Sequence, residues 1–289
     1  MQRYVCGAWL VFAVALLAVA LITGCAGKKP KPEVAFWEYG MPEGKTLEYQ
    51  KSEEVKQTME VMGQPMEMGF YKNMGFSIAP KGREKNIYQI EVTVNSMDAG
   101  ASTPQGDFTA DTEPTIGKSF HMSLSYLGKE VAVSGADEIM YGLGPQGERS
   151  IGPDFAAFFP DLPGRPIKIG DTWTSQDTIP ASEGGAELLV ISENLNTLEG
   201  FETINGMKCV KVTAVVTGSL TGEGEQMGAP LTFSGTMEGT ETWYFAHEDG
   251  IFVKSSARIA TTASVEVGGP QQMTIPMTMN MTMETELIK

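Results

Sequence analysis

The strongest constraint on this chain is a two-residue alternation that runs for unusually long stretches. From Met273 to Leu287 the residues Met273, Ile275, Met277, Met279, Met281, Met283 and Leu287 are all odd-numbered, whereas Thr274, Thr278, Asn280, Thr282, Glu284 and Glu286 are all even. A period of two puts alternate side chains on opposite faces of a strand. Fifteen such residues at about 3.3 Å each extend about 50 Å, long for an ordinary strand. The pattern recurs in 251–267, where Ile251, Val253, Ala257, Ile259, Ala263, Val265 and Val267 share a face opposite Lys254, Ser256, Arg258 and Glu266. It recurs again in 88–94, with Tyr88, Ile90, Val92 and Val94 on one side. Long strands with one apolar face need a surface to cover it, and the sequence leaves almost no room for helices to do so. The expected fold is therefore mostly β: long antiparallel strands in a twisted sheet or half-open barrel that curls on itself or faces a second sheet.

Between the strands, 137–141 and 153–159 have the length of single turns. Residues 99–117 are small, polar and acidic and predict a long loop, and the Gly- and Pro-dense stretch 142–170 predicts a crossover. The two sides of that crossover are coarsely alike. Gly44-Lys45-Thr46-Leu47 opens one and Gly170-Asp171-Thr172-Trp173 the other, and each leads to a similar strand, 86–95 and 207–216. Pseudo-repeated lobes over 37–141 and 165–289 are one reading; the cheap likeness of alternating β sequence is the other.

The N-terminus gives an address. Arg3 is the only charge in residues 1–24; an apolar run follows, and Ile22-Thr23-Gly24 precede Cys25. A basic start, an apolar core and small residues before a cleavage point make a secretory signal. With Cys25 in place, the segment resembles the bacterial lipobox. The resemblance implies a signal at 1–24, acylation of Cys25, and a tether at 25–36 ahead of an extracytoplasmic domain at 37–289. Stable anchoring takes two or more acyl chains, each buried methylene contributing about 0.8 kcal/mol. The expected membrane partner is thus reached through Cys25, with no spanning helix. Ala26, rather than aspartate, follows the cysteine and favours an outer-membrane destination in a diderm source.

Charge narrows the partners. The chain carries a net −15, and residues 1–24 hold one Arg and no acid, which leaves the mature chain near −16. That argues against nucleic acid and against electrostatic docking on anionic lipid. Cys6 leaves with the signal and Cys25 is acylated, so Cys209 stands alone and reads as a buried, inert thiol.

Three segments have a family flavour. They are Gly117-Lys118-Ser119-Phe120 with 127–131 and Ser134-Gly135; Phe159-Pro160 through Arg165-Pro166-Ile167-Lys168-Ile169-Gly170-Asp171-Thr172-Trp173; and 239–245 followed by 250–255. Together they resemble an uncharacterised family of bacterial envelope proteins, a domain of unknown function. The resemblance implies an extracytoplasmic β-rich domain and no catalytic residues.

No catalytic motif stands out. There is no Gly-x-Ser-x-Gly elbow, phosphate loop, dinucleotide fingerprint or calcium loop, and His121 and His247 are far apart in sequence. The expectation is a non-enzymatic protein without a cofactor. The chemistry that remains lies in 18 methionines, which cluster. Met66, Met68, Phe70 and Met74 share one strand face, interrupted by Lys72; Met277, Met279, Met281 and Met283 share another. Thioethers fill adaptable cores, accommodate variable acyl chains, or bind Cu(I). Two sulfurs in Met-x-Met lie about 6.6 Å apart along a strand, so a copper ion would need a further ligand, for which His121-Met122 is the candidate. Three roles therefore stay open for these faces: the lining of a site for a lipid or other hydrophobic ligand, a solid core in a structural or assembly lipoprotein, and a Cu(I) site.

Overall fold

The computed structural model describes residues 36–289 except 43, 145, 146, 184, 227, 270 and 271. The expected signal, Cys25 and most of the expected tether lie outside the described residues. Fourteen strands are present among them: β1 (Leu47–Val61), β2 (Gln64–Glu84), β3 (Ile87–Thr103), β4 (Gly106–Thr109), β5 (Ser119–Ser125), β6 (Glu130–Ser134), β7 (Met140–Gly142), β8 (Glu148–Ser150), β9 (Thr172–Glu183), β10 (Ala186–Ile204), β11 (Met207–Gln226), β12 (Ala229–Ala246), β13 (Ile251–Val267) and β14 (Met273–Leu287). Eleven run in the order β6-β5-β3-β2-β1-β14-β13-β12-β11-β10-β9 as one curled antiparallel sheet, a half-barrel; β4 pairs with β3, and β7 and β8 form a separate hairpin. None of the described helices is long and apolar enough to cross a membrane.

The two sides of the crossover are joined strand to strand. β1 pairs with β14 from Tyr49↔Leu287 to Met59↔Met277, so the first and last long strands sit side by side at the middle of one sheet. The crossover runs from the β6 side of the sheet to β9, at the opposite edge.

Packing is concentrated where β1 begins, which we call the base. The inward residues Tyr88, Ile90, Val92 and Val94 are all buried there, as the alternation requires. With no helix to cover the sheet, the crossover supplies the filling. Phe158 meets Tyr49, Phe76 and Phe252 at ring-centroid distances of 5.4, 5.2 and 5.6 Å. Phe155 packs against Phe120 at 4.7 Å. The segment ahead of β1 adds Trp37 and Tyr39, both buried, and Tyr39 Oη donates to the Pro160 carbonyl at 2.9 Å. Of the two turn-length stretches, 153–159 opens in a 3-10 turn at Gly152–Asp154, whereas 137–141 runs into β7.

One expectation needs correction. Residues 99–117 are not a long loop, because β3 continues to Thr103 and turns back into β4. Ala99 and Ala101 are its buried inward residues. Their small side chains hide the alternation from a hydrophobicity pattern, and they make room for the β7–β8 hairpin above them.

Toward the other end, the hairpin tips, the sheet is held tightly curled. A Cβ on Gly235 would stand 2.5 Å from the Ala263 Cβ and 2.8 Å from the Thr262 carbonyl. The missing side chain lets Leu220 on β11 reach across β12 to Ala263 and Met277, which form a second, small cluster.

Candidate functional site

The two methionine groups, remote in sequence, become one surface. β1 lies between β2 and β14, and its register fixes three inward-facing rows: Met277–Met59–Met66, Met279–Gln57–Met68 and Met281–Val55–Phe70. Residues on β2 and β14 in one row are two strand spacings, about 9.6 Å, apart. Met66, Met68, Met279, Met281 and Met283 are half-buried, neither sealed in a core nor fully exposed. Met277 is buried in the small cluster and lies 2.8 Å from Gln57 Nε2. Met74 drops out of the accessible face: at 0% exposure it belongs to the base core, below the point where the crossover fills the half-barrel. Phe70 is covered by the β7–β8 hairpin, with the Arg149 guanidinium carbon 4.8 Å from its ring centroid. His121 and Met122 are not beside these sulfurs. They pair on β5 with Glu91 and Ile90 of β3, at the base, and His121 points to solvent.

Below the methionines the inward rows turn polar. The next row down is Asn196–Ala214–Glu241–Ala257–Met283–Glu53–Lys72. Lys72, the interruption in the β2 face, lies 2.8 Å from Asp154 and 3.3 Å from Glu53; Lys51 reaches Asp154 at 2.8 Å. The Asp154 side chain is 4% exposed. Burial alone would raise its carboxyl pKa, but Lys51 and Lys72 outweigh that and hold it below the usual range. Burial pulls Lys72 down while Asp154 and Glu53 pull it up, and the carboxylates win. A cavity of about 30 Å³, room for one or two waters, lies beside this pair, between Val55, Phe70, Tyr141 and Arg149. Glu53 is therefore an interior ion-pair partner, not part of a solvated strand face.

A second polar group sits where the sheet's edges approach. Lys129, in the β5–β6 turn, donates to the Gln176 carbonyl at 2.6 Å and to Asp177 Oδ1 at 2.7 Å on β9, and lies 3.7 Å from Asp161 of the crossover. Glu130, next in sequence, accepts the Phe159 N–H at 2.7 Å through Oε1, while its buried Oε2 has no hydrogen-bond partner among the described residues. Burial, helped by Asp177 and Asp161 against the Phe159 hydrogen bond, pushes Glu130 up to about 8. Burial pushes Asp161 up to about 6 against the pull of Lys129. Glu241 rises to about 7 through burial and Asp177, opposed by a hydrogen bond to Ser255. Trp173, the tryptophan of the Gly-Asp-Thr-Trp segment, packs at the start of β9 against Trp243 at 5.9 Å and donates its indole N–H to the Asp161 carbonyl at 3.0 Å.

Hydrophobic patterning alone missed both groups. Their signal is parity: Lys51 and Glu53 on β1, Lys72 on β2, Asp177 on β9 and Glu241 on β12 occupy the same strand faces as the buried Tyr49, Met74, Trp173 and Trp243. Cys209 is 0% exposed, and burial raises its thiol; its neighbours Lys208 and Lys211 pair instead with Glu248 and Glu202. Among the described residues no group of three or more His, Cys, Asp or Glu is arranged to hold a metal ion. On the opposite, polar face of the sheet a shallow groove of about 610 Å³ runs over Val215, Thr240, Arg258 and Thr282.

No family model matches the chain, and no curated protein is recognisably similar to it in sequence.

Proposed function

We propose that this chain is a non-enzymatic bacterial envelope lipoprotein, tethered through acylated Cys25, whose methionine-rich inner face takes a hydrophobic ligand or an apolar segment of an envelope partner. The observation that carries the reading is the half-buried surface of Met66, Met68, Met279, Met281 and Met283 above a filled base. A solid β protein buries such side chains; here two distant methionine clusters are aligned across β1 and left partly open. Unbranched thioethers re-pack around variable shapes, which suits acyl chains better than a single rigid ligand. The lipobox-like N-terminus supports a position at a membrane, where such ligands are abundant. A structural role is the second reading, favoured by Met74 and Met277, which are wholly packed.

The test is a native mass spectrum of the soluble chain from Ala26 onward, exported without Cys25, recorded beside the denatured spectrum. Bound lipid appears as extra mass that leaves on denaturation. Met279→Asp removes that mass while leaving the unfolding midpoint nearly unchanged, because the position is half-open. A spectrum of bare polypeptide, with no uptake from added phospholipid, overturns the ligand reading and favours the structural one.

A further inference from the structure

The edges of the half-barrel, β6 and β9, are the two ends of the strand order, yet one side chain bridges them. The Lys129 ammonium leaves the β5–β6 turn and binds β9 twice, at the Gln176 carbonyl and at Asp177. The carbonyl belongs to the strand edge that has no neighbouring strand, so this contact ties one edge of the sheet to the other. Carboxylates converge on the same place from four elements: Glu130 from β6, Asp161 from the crossover, Asp177 from β9 and Glu241 from β12. The phenols of Tyr39, from the segment ahead of β1, and Tyr49, from β1, complete the surroundings. Among these groups Lys129 is the single cation.

We propose that Lys129 is a latch which sets how far the half-barrel closes, and that ionisation of the carboxylates packed around it releases the latch. The physical reason is charge balance: the Lys129 side chain is 47% exposed, but the carboxylates beside it are largely withdrawn from water, Asp177 at 14% and Asp161 at 19%. One ammonium offsets one carboxylate well, and Asp177 is the one in hydrogen-bond contact. Each further carboxylate that ionises adds repulsion across the gap between β6 and β9, and the buried Glu130 anion also has an oxygen with nothing to bind. The raised values of Asp161, Glu241 and Glu130 place these ionisations between about 6 and about 8. Acid pH keeps the group near one charge pair and the seam shut; alkaline pH crowds it with negative charge and lets the edges part. The seam borders the polar row beneath the methionines, so parting the edges widens the inner face. This last consequence rests on the ligand reading above; the latch itself does not.

The experiment measures the gap directly, without ligand. Spin labels on p-acetylphenylalanine at positions 132 and 178, both exposed, report the β6-to-β9 distance in the full chain by double electron–electron resonance. At pH 5.5 the wild type gives one narrow distance. At pH 9 a longer distance appears, its share rising on the order of tenfold, the change produced by one pKa unit of coupling. Lys129→Met shows the longer distance at both pH values, with Asp177→Asn as the alternative variant should the first not fold. The pair Glu130→Gln with Glu241→Gln keeps the short distance at pH 9. Identical distributions at both pH values, or an unchanged distance in both latch variants, overturn the proposal. Because no ligand is added and the readout is the β6-to-β9 distance, neither result bears on whether the methionine face takes a ligand, and a bare-polypeptide mass spectrum leaves the latch intact.

Discussion

Replacing Glu130 by glutamine should change how stability depends on pH more than how stable the protein is at any one pH. In the folded chain Glu130 titrates at about 8 against an ordinary 4.5, because burial disfavours its anion. A carboxyl whose folded value is raised carries no penalty below about pH 4.5 and the full penalty above about pH 8. Weighting the two protonation states gives a cost under about 1 kcal/mol at pH 5, about 3 kcal/mol at pH 7 and between about 4 and 5 kcal/mol at pH 9. Wild-type stability should therefore fall by about 4 kcal/mol from this residue alone as pH rises from 5 to 9. Glutamine keeps the oxygen that accepts the Phe159 N–H but brings an amide donor to where Oε2 has no partner, a cost of about 1–3 kcal/mol that does not vary with pH. The two curves should cross: wild type is the more stable near pH 5 and the variant near pH 9. Urea denaturation at one-unit pH steps, followed by circular dichroism, measures both. Parallel curves, separated by a constant offset from pH 5 to pH 9, refute the reasoning, since they mean that Glu130 ionises in the folded chain as readily as in water.

Three more outcomes follow from other parts of the molecule. Asp154→Asn strands Lys51 and Lys72 in the interior with Glu53 as their remaining counter-charge and should cost about 3–5 kcal/mol in urea titration at pH 7; a loss below about 1 kcal/mol would show that the lysines reach water. Gly235→Val drives a side chain into Ala263 and the Thr262 backbone, and should lower stability by at least about 2 kcal/mol while leaving the base aromatics packed, read as retained near-ultraviolet circular dichroism. Cys25→Ser should move the chain from the membrane pellet to the soluble fraction of a fractionated envelope, and a variant that still sediments with membranes argues against acylation as the anchor.

How much of this was legible in the sequence depends on the length scale of each signal. Strands whose inward residues are nearly all large and apolar, such as 88–94 and Met273–Leu287, where Thr285 is the exception, could be read directly, and so could the sheet's need to curl, because nothing else in the chain could cover it. The end of β3 could not: Ala99 and Ala101 are buried, but alanine does not contrast with its polar neighbours, so a strand looks like a loop. The union of the methionine clusters was out of reach for a different reason. Each cluster marks its own strand face, whereas their alignment depends on β1 pairing with β2 on one side and β14 on the other, across more than 200 residues of chain. Register is a property of pairs of strands, and no single strand encodes it.

The polar interior teaches the converse. A charge at an inward position is a local conflict between pattern and chemistry, and at Lys72 the alternation of β2 by itself displays it. On its own it says that something unusual is buried, not what answers it. Its partner Asp154 comes from the crossover, 82 residues away, in a segment whose Gly and Pro content reads only as irregular chain. The same holds at the seam, where Asp161 is another crossover residue that would pass for solvent-facing polarity. The crossover thus does two jobs that its composition conceals. Its phenylalanines fill the base, and its aspartates answer charges that the strands point inward. Irregular segments must satisfy their polar groups locally or carry them to partners elsewhere. Here they are carried inward, and this gives the half-barrel a layered interior: aromatic at the base, charged in the middle, and methionine-rich where it opens.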